Sequence, residues 1–139
     1  MSDIITCILL PVLRESGVIG KPKVVKLPRK NFNRCVYDLI DTDIYDMAPV
    51  MEHRDYQLIV DDCGLLKDLP CNLYASMLYN STSLLPQLVG DALLVKVGKC
   101  DGEMDVISME DSDVTRWMQK LYTIFDYIEG GDLYDDQPQ

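Results

Sequence analysis

The chain has 139 residues, of which 47% are hydrophobic and 26% charged, and its formal net charge at pH 7 is −10. A chain of this length buries roughly two-thirds of its unfolded surface, and the composition is that of a globular protein, so wholesale disorder is excluded. The acidity disfavours nonspecific binding to nucleic acid or to anionic lipid, and it favours a partner protein with a basic surface.

The charge is unevenly distributed along the chain. Residues 1–34 carry seven basic and two acidic side chains, residues 35–100 carry four and ten, and residues 101–139 carry two and eleven. The carboxyl end is therefore the most acidic part of the molecule. The five cysteines include no close pair, which argues against a disulfide framework or a zinc ribbon and favours reduced thiols in a cytoplasm.

Two strands are predicted at the start of the chain. Residues 4–12 are nearly all apolar, as in a strand covered on both faces, and the run breaks at Pro11 long before a membrane span would end. In residues 23–27 lysines flank an apolar pair, which indicates an edge strand. We expect the segment before Pro11 to be a buried strand and not a leader, since it lacks a basic n-region.

A helix and a hairpin follow. Residues 31–42 change to a helical period, with Asn31 or Asn33 placed to cap the first turn. Residues 44–51 and 56–60 predict two strands that pair as a hairpin, and residues 61–64 predict a turn. The helical stripe consists of Phe32, Cys35, Val36, Leu39 and Ile40.

The segment LPCNLYASMLYN, residues 69–80, predicts a proline turn and a short helix that begins at the cap Asn72 and stops near Asn80. Residues 88–97 predict a central strand in which Gly90 marks a bulge or a close backbone approach. After a turn at residues 100–103, residues 104–109 predict the hairpin partner of that strand.

The longest helix is predicted after Ser108. Glu110, Asp111 and Asp113 crowd its first turn, where acids complement the helix dipole, and Gly130-Gly131 is expected to end it. Its apolar stripe consists of Val114, Trp117, Met118, Leu121, Ile124, Phe125 and Ile128.

These elements together predict an α+β fold. The order β-β-α-β-β-α-β-β-α gives a mostly antiparallel sheet of about five to six strands with three helices on one face, the C-terminal helix being the longest. Residues 1–130 are expected to form a single domain, and residues 131–139 an acidic, disordered tail.

No catalytic constellation emerges from the residues. His53 is the single histidine, so it cannot build a multi-histidine metal site, and a surface position is expected for it. The run that begins at Asp101 resembles a calcium loop at first, but Val106 stands where the turn glycine belongs and Ser112 where the bidentate glutamate belongs. We expect no cofactor, no metal and no enzymatic activity.

One basic stretch stands out in the acidic chain. Its lysines and arginines favour protection of an edge strand, with docking of an anion as the alternative. The stretch consists of Lys21, Lys23, Lys26, Arg29, Lys30 and Arg34.

The segments LKDLPCNLYASMLYN, LVGDALLVKV and DVISMEDSDV together resemble a small family called domain of unknown function three-eight-four-six, over about residues 24–120. Asp43-Ile44-Tyr45 replaces the Gly-Gly turn of that family. The resemblance implies no catalytic residue, but it implies a setting in phages and mobile elements, whose small acidic products block host proteins. The matching positions are Leu69, Pro70, Asn72, Val89, Gly90, Asp91, Ser108, Met109 and Asp113.

Two hypotheses of function follow. The first is a non-catalytic acidic binding protein of a phage or mobile element, with inhibition of a host defence or nucleic-acid-handling protein as one option, and it would contact its partner through Asp111, Asp113, Asp126 and Glu129. The alternative is a binder of a small, nucleotide-like ligand, in which Tyr74 and Tyr79 stack a base and Asn72 and Lys26 supply polar contacts. The oligomeric state stays open, with a homodimer through the Trp117 stripe as one option.

Overall fold

The computed structural model describes residues 3–12, 19–63, 67, 69–79 and 88–135, and side chains as far as residue 128. Within these residues, six strands and three helices confirm the predicted α+β fold, and the last helix is the longest. The elements are β1 (Ile4–Leu10), β2 (Lys23–Pro28), α1 (Phe32–Ile40), β3 (Tyr45–Val50), β4 (His53–Asp61), α2 (Leu73–Tyr79), β5 (Ala92–Cys100), β6 (Glu103–Ile107) and α3 (Asp111–Asp135).

The six strands form one antiparallel sheet of order β2-β1-β5-β4-β3, and β6 pairs with β5. Lys96 lies opposite both Tyr56 of β4 and Ile107 of β6. Strands β1 and β6 therefore pair with the same edge of β5, β1 with the first residues of β5 and β6 with the later ones. Strands β2 and β3 end the order, which confirms the edge position predicted from the lysines of β2.

Helices pack on both faces of the sheet. Helices α2 and α3 lie on one face, where Tyr74 and Trp117 join the larger of two cores. Helix α1 lies on the other face, where Val36 and Ile40 join the second core. The expectation that all three helices share one face is wrong.

The reason lies in the central strands, whose apolar side chains alternate between the two faces. In β1, Ile5 and Cys7 belong to the core under α1, whereas Ile8 and Leu10 belong to the core under α2 and α3. A strand that is apolar on both sides needs cover on both sides.

The apolar stripe of α3 is core, as predicted. Trp117 and Leu121 are 4% and 0% exposed, and the other five members of the stripe pack against the same core. Trp117 is therefore not available as a dimer contact. The helix continues past Gly130-Gly131 to Asp135, beyond its predicted end, and the remainder of the predicted tail lies outside the described residues.

Strand β5 begins at Ala92, four residues later than predicted, because Gly90 interrupts the extended backbone. Gly90 has a φ of 77°, in the left-handed region, and its amide donates to Pro70 O at 2.7 Å. A Cβ at this position would stand 2.8 Å from Leu69 Cδ1, so the predicted close backbone approach is confirmed. The turn at Asp101-Gly102 is also confirmed, and both residues have the positive φ of a type I′ hairpin.

The helix caps follow the prediction in α2 but not in α1. Asn72 Oδ1 accepts from the Ala75 amide at 3.1 Å, so Asn72 caps α2. Asn31 precedes α1 with a φ of 64° and makes no side-chain cap bond. Asn33 Oδ1 accepts instead from the Tyr45 hydroxyl at 2.7 Å, because the ring of Tyr45 packs beside this helix.

Candidate functional site

The four carboxylates predicted to face a partner do not form one surface. Asp111 and Asp126 are exposed, Asp113 is 3% exposed, and the side chain of Glu129 lies outside the described part of the chain. Asp111 and Asp126 stand roughly 22 Å apart along the helix. Exposed Arg116 lies between them, so α3 presents no continuous acidic face.

The prediction is wrong for Asp113 because four groups of the chain bind its carboxylate. Lys96 Nζ contacts Oδ2 at 2.8 Å, and Arg116 contacts Oδ1 at 2.9 Å. The Tyr56 hydroxyl donates to Oδ1 at 2.6 Å, and the Glu110 amide donates to Oδ2 at 2.8 Å. The last bond is half of a capping box, in which the third helical residue reaches back to the cap amide.

These contacts shift the pKa values of Asp113, Lys96 and Tyr56. Burial alone would raise the pKa of Asp113, but the bonds from Lys96 and Tyr56 outweigh it and hold this pKa well below its usual range. The same bond raises the pKa of Lys96. Burial, followed by the bond to Asp113, raises the pKa of Tyr56. At neutral pH the cluster is therefore a charged, fully bonded joint between α3 and the sheet.

The four residues predicted to hold a nucleotide-like ligand do not form a pocket. Asn72 and Tyr74 are both 0% exposed. The Asn72 amide donates to Leu10 O and to Gly90 O, each at 2.9 Å, and the Tyr74 hydroxyl donates to Gly20 O at 2.8 Å. Their polar groups thus join segments of the chain to one another and are closed to a ligand.

The remaining two members of that set lie apart from these buried groups. Tyr79 packs, partly buried, against the larger core at the end of α2. Lys26 is exposed on the edge strand β2, opposite Thr6 of β1. Four of the basic residues, Lys21, Lys23, Lys26 and Lys30, are exposed along or beside this edge, as expected for protection of an edge strand.

A different surface stands out on the face of the sheet that carries α1. A helix of nine residues is only about 14 Å long, so α1 covers part of this face and leaves the rest to solvent. The uncovered part is a depression of about 200 Å³. We call it the open sheet face, and it is lined by Tyr45, Met47, Gln57, Val97, Met104, Asp105 and Val106.

The open sheet face has an apolar floor, and Asp105 is the one acidic residue of its lining. Met104 is 60% exposed, a large value for a methionine in a strand. Burial, together with the nearby Tyr37 and Asp105, raises the pKa of the Tyr45 hydroxyl. Further exposed carboxylates lie on the same strands and turns, among them Asp43, Asp55 and Asp101, whereas Asp46 and Glu103 project to the other face; the exposed bases there include Arg54 and Lys99.

Comparison with known proteins adds no relative. No family model matches this chain, and no curated protein or solved structure is detectably similar to it. Among the described residues, no helix is both long and apolar enough to cross a lipid bilayer. The same residues contain no group of three or more His, Cys, Asp or Glu that could hold a metal ion.

Sequence reasoning missed the open sheet face, although one signal for it was present. Met104 and Val106 alternate with Glu103 and Asp105 in β6, and this period of two indicates an apolar side and an acidic side of one strand. The pattern does not reveal that α1 stops short of this strand, because the reach of a helix across a sheet depends on tertiary packing.

Proposed function

We propose that this chain is a non-catalytic binding protein that docks the open sheet face onto the basic surface of a partner protein. The observation that carries the proposal is the exposed apolar floor around Met104, with Asp105 in its lining. A partner that fits it presents apolar side chains to the floor and lysines or arginines to Asp105. Methionine suits such a floor because its unbranched thioether adapts to different partner shapes.

The dimensions favour a protein partner over a drug-sized or nucleotide-sized ligand at this surface. Pockets for drug-sized molecules typically enclose about 300–1,000 Å³. The depression on the sheet holds about 200 Å³. Protein interfaces, in contrast, bury about 800 Å² on each partner and need no deep cavity.

Charge complementarity supports a basic partner. Asp105 and the other exposed carboxylates of these strands and turns would speed association with a basic surface and would repel nucleic acid. Because these groups are exposed, salt would screen their attraction over a Debye length of about 10 Å at 0.1 M. A chain that covers a basic groove in this way would compete with DNA or RNA for it.

The setting is part of the proposal and rests on the sequence alone. The resemblance to a family of phages and mobile elements implies a host partner of defence or nucleic-acid handling, met in the cytoplasm. The alternative, a nucleotide-like ligand held beside α2, gains no support because Asn72 and Tyr74 are buried.

The test compares two variants that change the net charge equally. Asp105→Lys alters the open sheet face, and Asp126→Lys alters α3 on the other face of the sheet. Proteins retained from a bacterial lysate at low salt are identified by mass spectrometry, and each is purified for affinity measurement. We expect Asp105→Lys to weaken binding of the true partner by about tenfold and Asp126→Lys to change this affinity little. Added salt should weaken the binding of both variants.

Met104→Ser tests the apolar floor separately and is expected to weaken the same complex. Equal effects of the two lysine variants would mean that net charge alone drives retention. An absence of any retained protein that responds to Asp105→Lys would contradict the proposal.

A further inference from the structure

A second concavity lies on the opposite face of the sheet, between the β3–β4 turn, α2 and α3. It holds about 270 Å³. Its position is fixed because the Met51 amide donates to Leu78 O at 2.9 Å, which ties the turn to the end of α2. We call it the Met cleft, and it is lined by Met51, His53, Met77, Leu78, Lys120 and Ile124, with Glu52 at the turn.

Lys120 brings a cationic group to the Met cleft. Lys120 Nζ lies 3.4 Å from His53 Nε2 and 5.3 Å from the centre of the Trp117 ring. Within the described residues, no carboxylate lies within 4.0 Å of Lys120. Most exposed lysines among the described residues likewise form no ion pair, so what distinguishes Lys120 is its place in the lining of an apolar cleft.

The contact between Lys120 and His53 occupies only part of the hydrogen-bonding capacity of the lysine. An ammonium group has three donors, and Nε2 of His53 can take one of them at 3.4 Å. One donor of Lys120 is used in this way. The remaining donors stand at the edge of an apolar cleft, ready to bind an anion.

We propose that the Met cleft binds a small aliphatic carboxylate. The aliphatic chain would lie against Met51, Met77 and Ile124, and the carboxylate would accept from Lys120 Nζ. A single ammonium group matches a single negative charge, and Glu52 in the same lining repels any anion, a doubly charged phosphate about twice as strongly as a carboxylate. The volume of about 270 Å³ is below that of pockets for drug-sized molecules, which limits the ligand to a short chain.

This site is independent of the proposed function, because Leu78 and Ile124 belong to the core opposite the open sheet face. The chain contains one tryptophan, Trp117, and its ring lies under Lys120. Its fluorescence therefore reports directly on the cleft.

The experiment titrates the full chain with octanoate and follows Trp117 emission, with calorimetry as a second readout. Octylamine tests the requirement for a negative charge, since it has an alkyl chain of the same length with a positive group. Acetate tests the requirement for the alkyl chain, since it has the carboxylate without it. We expect saturable binding of octanoate alone. Lys120→Met should weaken it about tenfold or more, since a hydrogen bond to a charged group is lost, and Lys120→Arg should retain it.

Lys99→Met is the matched control, because Lys99 is an exposed lysine that pairs with Met104 of β6 and is not part of the cleft lining. Asp105→Lys, which impairs the proposed partner binding, should leave octanoate affinity unchanged, so the two proposals can fail separately. The inference is overturned if octanoate does not saturate, if octylamine binds as well, or if Lys120→Met binds octanoate as tightly as the unmodified chain.

Discussion

Tyr56 donates its phenolic hydrogen to Asp113 across 2.6 Å, and this bond joins β4 to the first turn of α3. Both residues are buried, and Lys96 of β5 and Arg116 of α3 bind the same carboxylate. The longest helix is thus attached to the sheet by a bonded charge cluster as well as by its apolar stripe. A charge in this position stabilises the fold only while its partners remain in place.

Removal of the Asp113 carboxylate should therefore be costly. Asp113→Ala leaves Lys96 without its anion and Tyr56 without an acceptor, and we expect a loss of about 3 kcal/mol in the free energy of unfolding. Tyr56→Phe keeps the charge pair and should cost about 1–2 kcal/mol. Urea denaturation at pH 7 measures both. The control Asp126→Asn, on an exposed carboxylate, should stay within about 0.5 kcal/mol, and an equally small effect of Asp113→Ala would refute the role of the cluster.

The stability of the fold should also fall in acid. Burial alone would raise the pKa values of Asp61 and Asp113, but hydrogen bonds hold both below the ordinary value. The bonds to Asp61 come from Lys67 and Thr42. A carboxylate whose pKa is lower in the folded state contributes stability that is complete above its unfolded pKa of about 3.9 and disappears as the pH falls through the folded pKa.

We therefore expect the unfolding free energy to decline steadily below about pH 5. The difference between the unmodified chain and Asp113→Asn should shrink as the pH falls further, because the unmodified chain then loses the contribution of a carboxylate that the variant lacks at every pH. Urea midpoints between neutral pH and pH 2.5 measure this trend. A difference that stays constant over this range would show that folding does not lower the pKa of Asp113.

Parts of the fold were predictable because they depend on local periodicity. The stripe from Val114 to Ile128 repeats over four turns of one helix, and so long a pattern leaves little choice of structure. The type I′ turn at Asp101-Gly102 was predictable because few residues accept a positive φ.

Other features depend on tertiary packing and were not predictable. The sequence pattern of an acidic residue in a first helical turn is the same for an exposed residue, such as Asp111, and for one buried against the sheet, such as Asp113. Asn72 was correctly predicted as a cap, but its two bonds to the distant carbonyls of Leu10 and Gly90 leave no local signal. The open sheet face was missed for the same reason, since Met104 is exposed only because α1 packs on another part of the same face.

Two glycines allow a matched test of backbone conformation. Gly90 and Gly102 have φ values of 77° and 86°, but only at Gly90 would a Cβ meet a neighbour, Leu69 Cδ1 at 2.8 Å. We expect Gly102→Ala to cost about 1 kcal/mol for the left-handed backbone alone, and Gly90→Ala to cost more by the displacement of Leu69. Denaturation of both variants, and of Gly90→Ala combined with Leu69→Ala, separates the two effects. Equal costs in the two single variants would mean that the close approach is unimportant.

Asn72 provides the sharpest test between a structural role and a ligand-binding role. Its amide donates to two buried carbonyls, Leu10 O and Gly90 O, and its oxygen caps α2 at the Ala75 amide. Asn72→Ala deletes all three bonds and leaves buried backbone groups unpaired, so we expect a loss of about 3 kcal/mol.

Asn72→Asp keeps the capping oxygen but removes the amide donors and places a charge beside two carbonyls, so it should be at least as destabilising. Tyr79→Phe is the control at the partly buried end of the same helix and should cost less than about 1 kcal/mol. Urea denaturation of the three variants decides the matter. A folded Asn72→Ala of unchanged stability would mean that this side chain does not hold β1, α2 and the Gly90 turn together, and it would reopen a ligand role for the segment.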